Sequence, residues 1–229
     1  RRLGRVFLRL FEELEDLPVY LLPDISRSMY LEEPPRARAG LRCALALASI
    51  ALGQHDSVGL LPFSNDLQIG LRPRAGKGSL MRFAEAMGAL EPGGETDLCR
   101  SVRTLTGLSL REGLVVLISD LFDPAGAEGV TQALGRLRHR LLIVQLVRGS
   151  DREPGLAGDL RLRDCESGRV EDVSATPPVL ERYRQAYERF ERTILDFARR
   201  RDIGLLRLDA DEEVLPQLAT LFETGSYVV

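Results

Sequence analysis

Short apolar runs alternate along this chain with longer stretches of helical spacing. Val19–Leu22, Val58–Phe63, Leu114–Ser119, Leu141–Val147 and Ile203–Leu208 are rich in Val, Leu and Ile and read as buried strands. Between them, Arg36–Leu52 places Leu41, Ala44, Leu45, Ala48 and Leu52 on one face, and Gly53 ends it. Leu98, Val102 and Leu105 mark a second helix. Val130, Leu134 and Leu137 mark a third, with Asp123 expected as its N-cap and Pro124 at its first position. Strand–helix alternation of this kind predicts an α/β fold with a mostly parallel central sheet and helices on both faces.

Two stretches depart from the alternation. Ser64-Asn65-Asp66 joins Val58–Phe63 to Leu67–Leu71 and predicts a hairpin that places one antiparallel strand at the sheet edge. Residues 149–178 read as an insertion on a single domain spanning 1–229. It carries a second hairpin, Leu160–Arg163 with Arg169–Val173, around Glu166-Ser167-Gly168. A long helix opened by Thr176 and Pro177 follows, and its stripe of Tyr183, Tyr187, Phe190, Ile194 and Phe197 is expected to face the core.

Composition narrows the function classes. A net charge of -3 argues against nucleic-acid binding, which needs a basic face. The Arg clusters at 1, 2 and 5, at 136, 138 and 140, and at 199–201 read as solvated helix faces. Cys43, Cys99 and Cys165 are widely spaced and offer neither a disulfide framework nor a zinc site, which suits a reducing, cytoplasmic setting. No apolar run is long enough to span a membrane, so no membrane contact by this segment is expected. The chain opens at Arg1 in mid-pattern, which predicts further sequence upstream.

The candidate chemistry lies in oxygen donors. Asp24-Ile25-Ser26-Arg27-Ser28 follows the first strand directly. On its own Asp-x-Ser-x-Ser is weak, and an Asx turn leaving a strand would explain it. Gly93-Gly94-Glu95-Thr96-Asp97 precedes the Leu98 helix, and Asp120 follows the Leu114–Ser119 run. Asp24 and Asp120 then both stand at carboxyl ends of strands, where open α/β sheets bind ligands. Hydroxyls and carboxylates without sulfur or imidazole suit Mg²⁺ or Mn²⁺. Asp97 and Asp123 are candidates for an outer supporting role, although helix capping accounts for both. Gly76-Lys77-Gly78-Ser79 lacks the hydroxyl that must follow the lysine of a phosphate loop and reads as a flexible connector.

Asp24, Ser26, Ser28, Thr96 and Asp120 together resemble the metal-ion-dependent adhesion site of von Willebrand factor A domains. The chain is more closely similar to a bacterial von Willebrand factor A-like family catalogued as domain of unknown function number fifty-eight. The likeness rests on Leu22-Pro23-Asp24-Ile25-Ser26-Arg27-Ser28-Met29, Asp56-Ser57-Val58-Gly59-Leu60, Gly94-Glu95-Thr96-Asp97-Leu98 and Ser119-Asp120-Leu121-Phe122-Asp123. Arg163-Asp164-Cys165-Glu166-Ser167-Gly168 and Leu208-Asp209-Ala210-Asp211 fit as well, while Pro23 and Glu95 depart from the pattern. The resemblance implies a Rossmann-like von Willebrand factor A fold. It implies Ser26, Ser28 and Thr96 as nearer ligands, with Asp24 and Asp120 acting through water. It further implies a non-enzymatic module that binds a carboxylate of a protein partner. Members are encoded beside MoxR-type AAA+ ATPases, so such an ATPase or its client is the expected partner, in chaperone-like assembly or maturation; some relatives are membrane-tethered. The alternative is a Mg²⁺-dependent phosphatase or hydrolase with Asp24 as nucleophile.

Overall fold

A computed structural model describes residues 16–224, with side chains to residue 220. The central sheet has six strands: β1 (Pro18–Pro23), β2 (Ser57–Leu60), β3 (Leu71–Arg74), β4 (Leu114–Ser119), β5 (Arg140–Val147) and β8 (Gly204–Asp209). Their order is β3-β2-β1-β4-β5-β8. All neighbours run parallel except β3, which pairs antiparallel with β2 at the edge.

The inner strands are mostly apolar and buried because both sheet faces are covered. Val19 and Leu21 of β1, with Val116 and Ile118 of β4, enter a core shared with α1 (Arg36–Gly53), α2 (Ser79–Gly88) and α7 (Val214–Thr224). Tyr20 and Leu22, with Val115 and Leu117, point the other way. They meet α3 (Leu98–Gly107), α4 (Gly126–Leu134) and α6 (Pro177–Arg201). Alternate side chains of a strand face opposite sides, so two cores form from one sheet. The strand order reverses between β1 and β4. The crevice at their carboxyl ends is therefore the switch point where such sheets accept ligands.

Residues 149–178 contain the short helix α5 (Gly149–Arg152) and a separate two-stranded sheet, β6 (Gly158–Arg163) with β7 (Val170–Ala175). In the stripe of α6, Tyr187, Ile194 and Phe197 are buried, Phe190 packs at the core margin, and Tyr183 is 40% exposed. Tyr183 instead donates its hydroxyl to the Asp151 carbonyl at 2.5 Å.

Several sequence expectations need correction. The strand at Val58–Phe63 ends at Leu60, and β3 lies at Leu71–Arg74 instead of Leu67–Leu71. Asp66, expected only to turn the chain, is drawn to α3, where it accepts from Thr104 Oγ1 at 2.6 Å and Arg100 Nε at 3.0 Å. Residues 61–70 run back irregularly, with one bridge between Phe63 and Leu67. Asp123 does not cap α4, which starts at Gly126, and Leu137 lies beyond its end. The Asp123 carboxylate spans two elements: Oδ1 accepts from Ala125 N and Oδ2 from Leu98 N, both at 2.7 Å. Arg136 and Arg138 sit exposed in the α4–β5 connector and Arg140 opens β5, so these three do not form a helix face, whereas Arg199–Arg201 end α6 as expected. Arg1, Arg2 and Arg5 lie outside the described residues. Cys43, Cys99 and Cys165 are free thiols. Among the described residues, no helix is long and apolar enough to cross a membrane.

Candidate functional site

The loop after β1 is fastened on both sides. Asp24 N donates to Ile118 O of β4 at 2.9 Å, and Ile25 N to Phe63 O at 2.8 Å. Arg27 N donates to Gly94 O at 3.0 Å, and Asp97 N to Ser64 O at 2.9 Å, which bring the Gly93–Asp97 loop alongside. Gly93 N also reaches Ile25 O, and a Cβ at Gly93 would collide with the Ser64 side chain, so this close approach requires glycine. Asp97 is the N-cap of α3 and accepts from Arg100 N at 2.7 Å. Its carboxylate therefore serves the helix, and with Asp123 it braces the segment that carries Thr96.

The five candidate residues gather at the switch point. Asp24 is 3% exposed and Ser26 fully buried; Thr96 and Asp120 are also buried, and Ser28 is half-buried. Asp24 Oδ1 accepts from Ser26 N at 2.9 Å, and Oδ2 from Ser119 Oγ at 2.7 Å. The Ser26 and Ser28 hydroxyls are 3.1 Å apart. Ser28 Oγ and Thr96 Oγ1 both donate to one oxygen, Oε1 of Glu166, at 2.7 and 2.9 Å, so Ser26 is left as the donor to Ser28. Thr96 N donates to Glu166 Oε2 at 2.8 Å.

Asp120 is placed by a bent backbone. Leu121 takes φ 65°, a conformation costly for a branched side chain. Burial of Leu121 holds it there, with bonds from Leu121 N to Ser119 Oγ and from Phe122 N to Asp120 Oδ1, at 2.9 and 3.0 Å. Asp120 Oδ2 lies 3.4 Å from Arg36 Nη1. Arg36 is itself buried and forms a fork on Asp151 at 2.7 and 3.1 Å, with Glu32 at 3.3 Å. Arg148 pairs with Glu32 at 3.0 Å and Asp211 at 3.2 Å, and its backbone N donates to Asp151 Oδ2.

Burial pushes both aspartates up. Asp24 rises to about 6, against the pull of its hydrogen bonds from Ser26 and Ser119. Asp120 rises to about 7 through burial and then the neighbouring charge of Asp24, with Arg36 pulling the other way. Around Arg36, burial works against the charge, but Asp151, Asp120 and Glu32 together outweigh it and hold the guanidinium protonated.

The residues fit a hard cation by donor chemistry: three hydroxyls and two carboxylates, all oxygen. Among the described residues no three His, Cys, Asp or Glu side chains gather as a metal cluster, so an ion here would lean on the hydroxyls. Asp24 also has no basic side chain within ion-pair distance among the described residues, only hydroxyl and amide donors. As a nucleophile Asp24 is poorly set, since both its oxygens are engaged and it is almost fully buried.

Arg36, Asp151, Ser119 and Glu166 are the residues that sequence reasoning did not assign. Glu166 carried a signal, since it stood at the hairpin turn and within a stretch matching the family. Its partners lie 138 and 70 residues away, beyond any local pattern.

The strand order, the antiparallel edge and the helices on both faces give this chain a von Willebrand factor A-like fold. The chain belongs to the family described as Protein of unknown function DUF58, whose model matches residues 1–193. It is 24% identical over 208 residues to Uncharacterized protein Rv1480 of Mycobacterium tuberculosis (strain ATCC 25618 / H37Rv) and to Uncharacterized protein Mb1516 of Mycobacterium bovis (strain ATCC BAA-935 / AF2122/97). The alignment covers 89% of this chain and 65% of each relative, so the chain spans less than two thirds of their length. Among solved structures, the conserved hypothetical protein BatB from Bacteroides thetaiotaomicron superposes with TM-score 0.52 at 17% identity, covering 91% of this chain and 97% of that one. An aerotolerance-related membrane protein from Bacteroides fragilis NCTC 9343 gives TM-score 0.52 at 14% identity, with 91% and 98% covered. At such identities the likeness speaks to the fold.

Proposed function

We propose that this domain is a non-enzymatic interaction module that binds a protein partner through a divalent cation, Mg²⁺ or Mn²⁺. Ser26, Ser28 and Thr96 hold the ion, and Asp24 and Asp120 act on it through water. The observation that carries this reading is the convergence of Ser28 Oγ and Thr96 Oγ1 on one carboxylate oxygen, with the Ser26 hydroxyl and two buried aspartates behind them. Neutral hydroxyl ligands leave positive charge on the ion, so an acidic side chain of a partner gains a bond there that a lysine or an apolar group does not. The family likeness points to a MoxR-type AAA+ ATPase or its client as that partner, in chaperone-like assembly or maturation.

Calorimetric titration of Mg²⁺ into the EDTA-stripped chain tests the site. One-site binding is expected, weakened at least about tenfold in Thr96→Ala. Absence of binding to the native chain would sink the reading. Binding of a purified MoxR-type ATPase, compared in Mg²⁺ and in EDTA, tests the partner; equal binding in both would remove the cation from that contact.

A further inference from the structure

The β6–β7 arm makes little of the core. Along Gly158–Arg163 and Val170–Ala175 only Leu160 and Val173 are half-buried and only Ala175 is buried. Leu162 and Val170 are 40% and 50% exposed. Yet the arm reaches back over the switch point and delivers one side chain to it. Glu166 takes hydrogen bonds from Ser28 Oγ, Thr96 Oγ1 and Thr96 N, all at 2.7–2.9 Å. Its turn is built to present it. Asp164 Oδ1 accepts from Glu166 N and Ser167 N, Asp164 N donates to Arg169 O, and Gly168 closes the turn at φ 71°.

This placement runs against simple electrostatics. Glu166 brings a carboxylate to the hydroxyl side of the site, close enough for its charge to act on the buried Asp24. Like charges in one pocket oppose each other unless a cation stands among them. The two hydroxyls that point at Glu166 Oε1 are also two of the groups assigned above to the ion.

We propose that Glu166 is a tethered ligand of this site: its carboxylate fills the cation's outward coordination position, the one an acidic partner would take. The inference rests on the cation-site reading above. A partner then binds by displacing the arm from Ser28 and Thr96. Because the competitor belongs to the same chain, it acts at an effective concentration on the order of millimolar, and weak acidic ligands are refused.

Mn²⁺ alone serves as the probe, on the whole chain in three forms: native, Glu166→Gln, and Glu171→Gln as a control on the exposed β7 strand. The measurements are Mn²⁺ affinity, the number of exchangeable waters on the ion by electron–nuclear spectroscopy in ¹⁷O-water, and amide exchange of residues 158–175 with and without Mn²⁺. In the native chain and the control, Mn²⁺ should slow exchange in the arm. Glu166→Gln should bind Mn²⁺ at least about tenfold more weakly, carry one more water and lose the protection of the arm. Unchanged affinity and water count in Glu166→Gln, or an arm in the native chain that does not respond to Mn²⁺, would overturn the tethered ligand while leaving the cation site standing. If the native chain binds no Mn²⁺, both readings fall.

Discussion

Around Arg36 every buried charge has an opposite charge within ion-pair distance; Asp24 has none among the described residues. Both clusters sit at the carboxyl edge of the same sheet, and Asp120 belongs to both. Arg36 is held by Asp151, Glu32 and Asp120, and Arg148 by Glu32 and Asp211. Asp24 is as deeply buried as Arg36, yet it is met only by hydroxyls and an amide. A buried charge without a counter-charge is expensive. The closed network of charges holds the architecture, whereas the open one is where we propose that a cation belongs.

The largest effect that separates the two clusters is expected at Arg36. Arg36→Leu leaves Asp151 and Asp120 without their guanidinium. The loss should be about 3–5 kcal/mol, as for breaking other buried ion pairs. In a chain of this size that lowers the melting temperature by on the order of 10 °C. Mg²⁺ can compensate Asp120 but not Asp151, so it should recover only part of the loss seen in EDTA. Thermal melts check it, and a loss that Mg²⁺ repaired in full would show that the two clusters are one site.

Next comes the open cluster itself. Mg²⁺ at a hundredfold excess over its dissociation constant should stabilise the native chain by roughly 2.7 kcal/mol. Asp24→Ala should lose this gain, because its carboxylate no longer anchors the Ser26 backbone or the waters of the ion. Melts of both forms in EDTA and in Mg²⁺ measure the difference. An equal shift in the variant would place the ion elsewhere.

The comparison also has a pH signature. Asp24 and Asp120 titrate at about 6 and about 7 in the folded chain, raised by burial from the ordinary carboxylate range. For groups raised on folding, stability is present while both states are protonated and is lost as pH rises through the folded values. The metal-free native chain should therefore lose stability relative to Asp120→Asn between about pH 4 and pH 7, by on the order of 1 kcal/mol or more. The gap should stop growing above pH 7. Mg²⁺ must displace these protons, so its affinity should rise over the same range. Denaturant titrations of both forms at several pH values test the sign, and a gap independent of pH would contradict it.

How far the sequence reveals these clusters follows from how local their parts are. Asp24, Ser26 and Ser28 lie within five residues at a strand end, and Asp120 ends a plain apolar run, so spacing and strand position found them. Thr96 needed only the glycines before it and the helix after it. The Arg36–Asp151 pair spans 115 residues and joins a helix start to the short helix α5. No periodicity encodes such a pairing. Asp123 misled for a related reason: Asp-Pro before an apolar helix resembles a cap, but the carboxylate is drawn to Leu98 N across the loop. The antiparallel edge strand was legible as a strand, while its register was not, because Asp66 is drawn to α3 and the return from Phe63 to Leu71 is irregular.

The smallest stability effect is expected from removing the arm. Replacing Leu160–Val173 with a short Gly-Ser turn deletes strands whose side chains are nearly all exposed, so little apolar burial is lost. What goes with them is the set of three hydrogen bonds at Glu166, set against relief of a carboxylate held near Asp24. A net hydrogen bond contributes about 1 kcal/mol, and like-charge relief offsets part of it. Across three such bonds the metal-free stability should therefore fall by about 2 kcal/mol or less, below the effect at Arg36. The root of the arm must stay, since Ala175 is buried and Thr176 is the N-cap position of α6. Chemical denaturation of the trimmed and native chains, both in EDTA, gives the comparison. A loss as large as that of Arg36→Leu would mean that the arm is structural and that the switch point depends on it to fold.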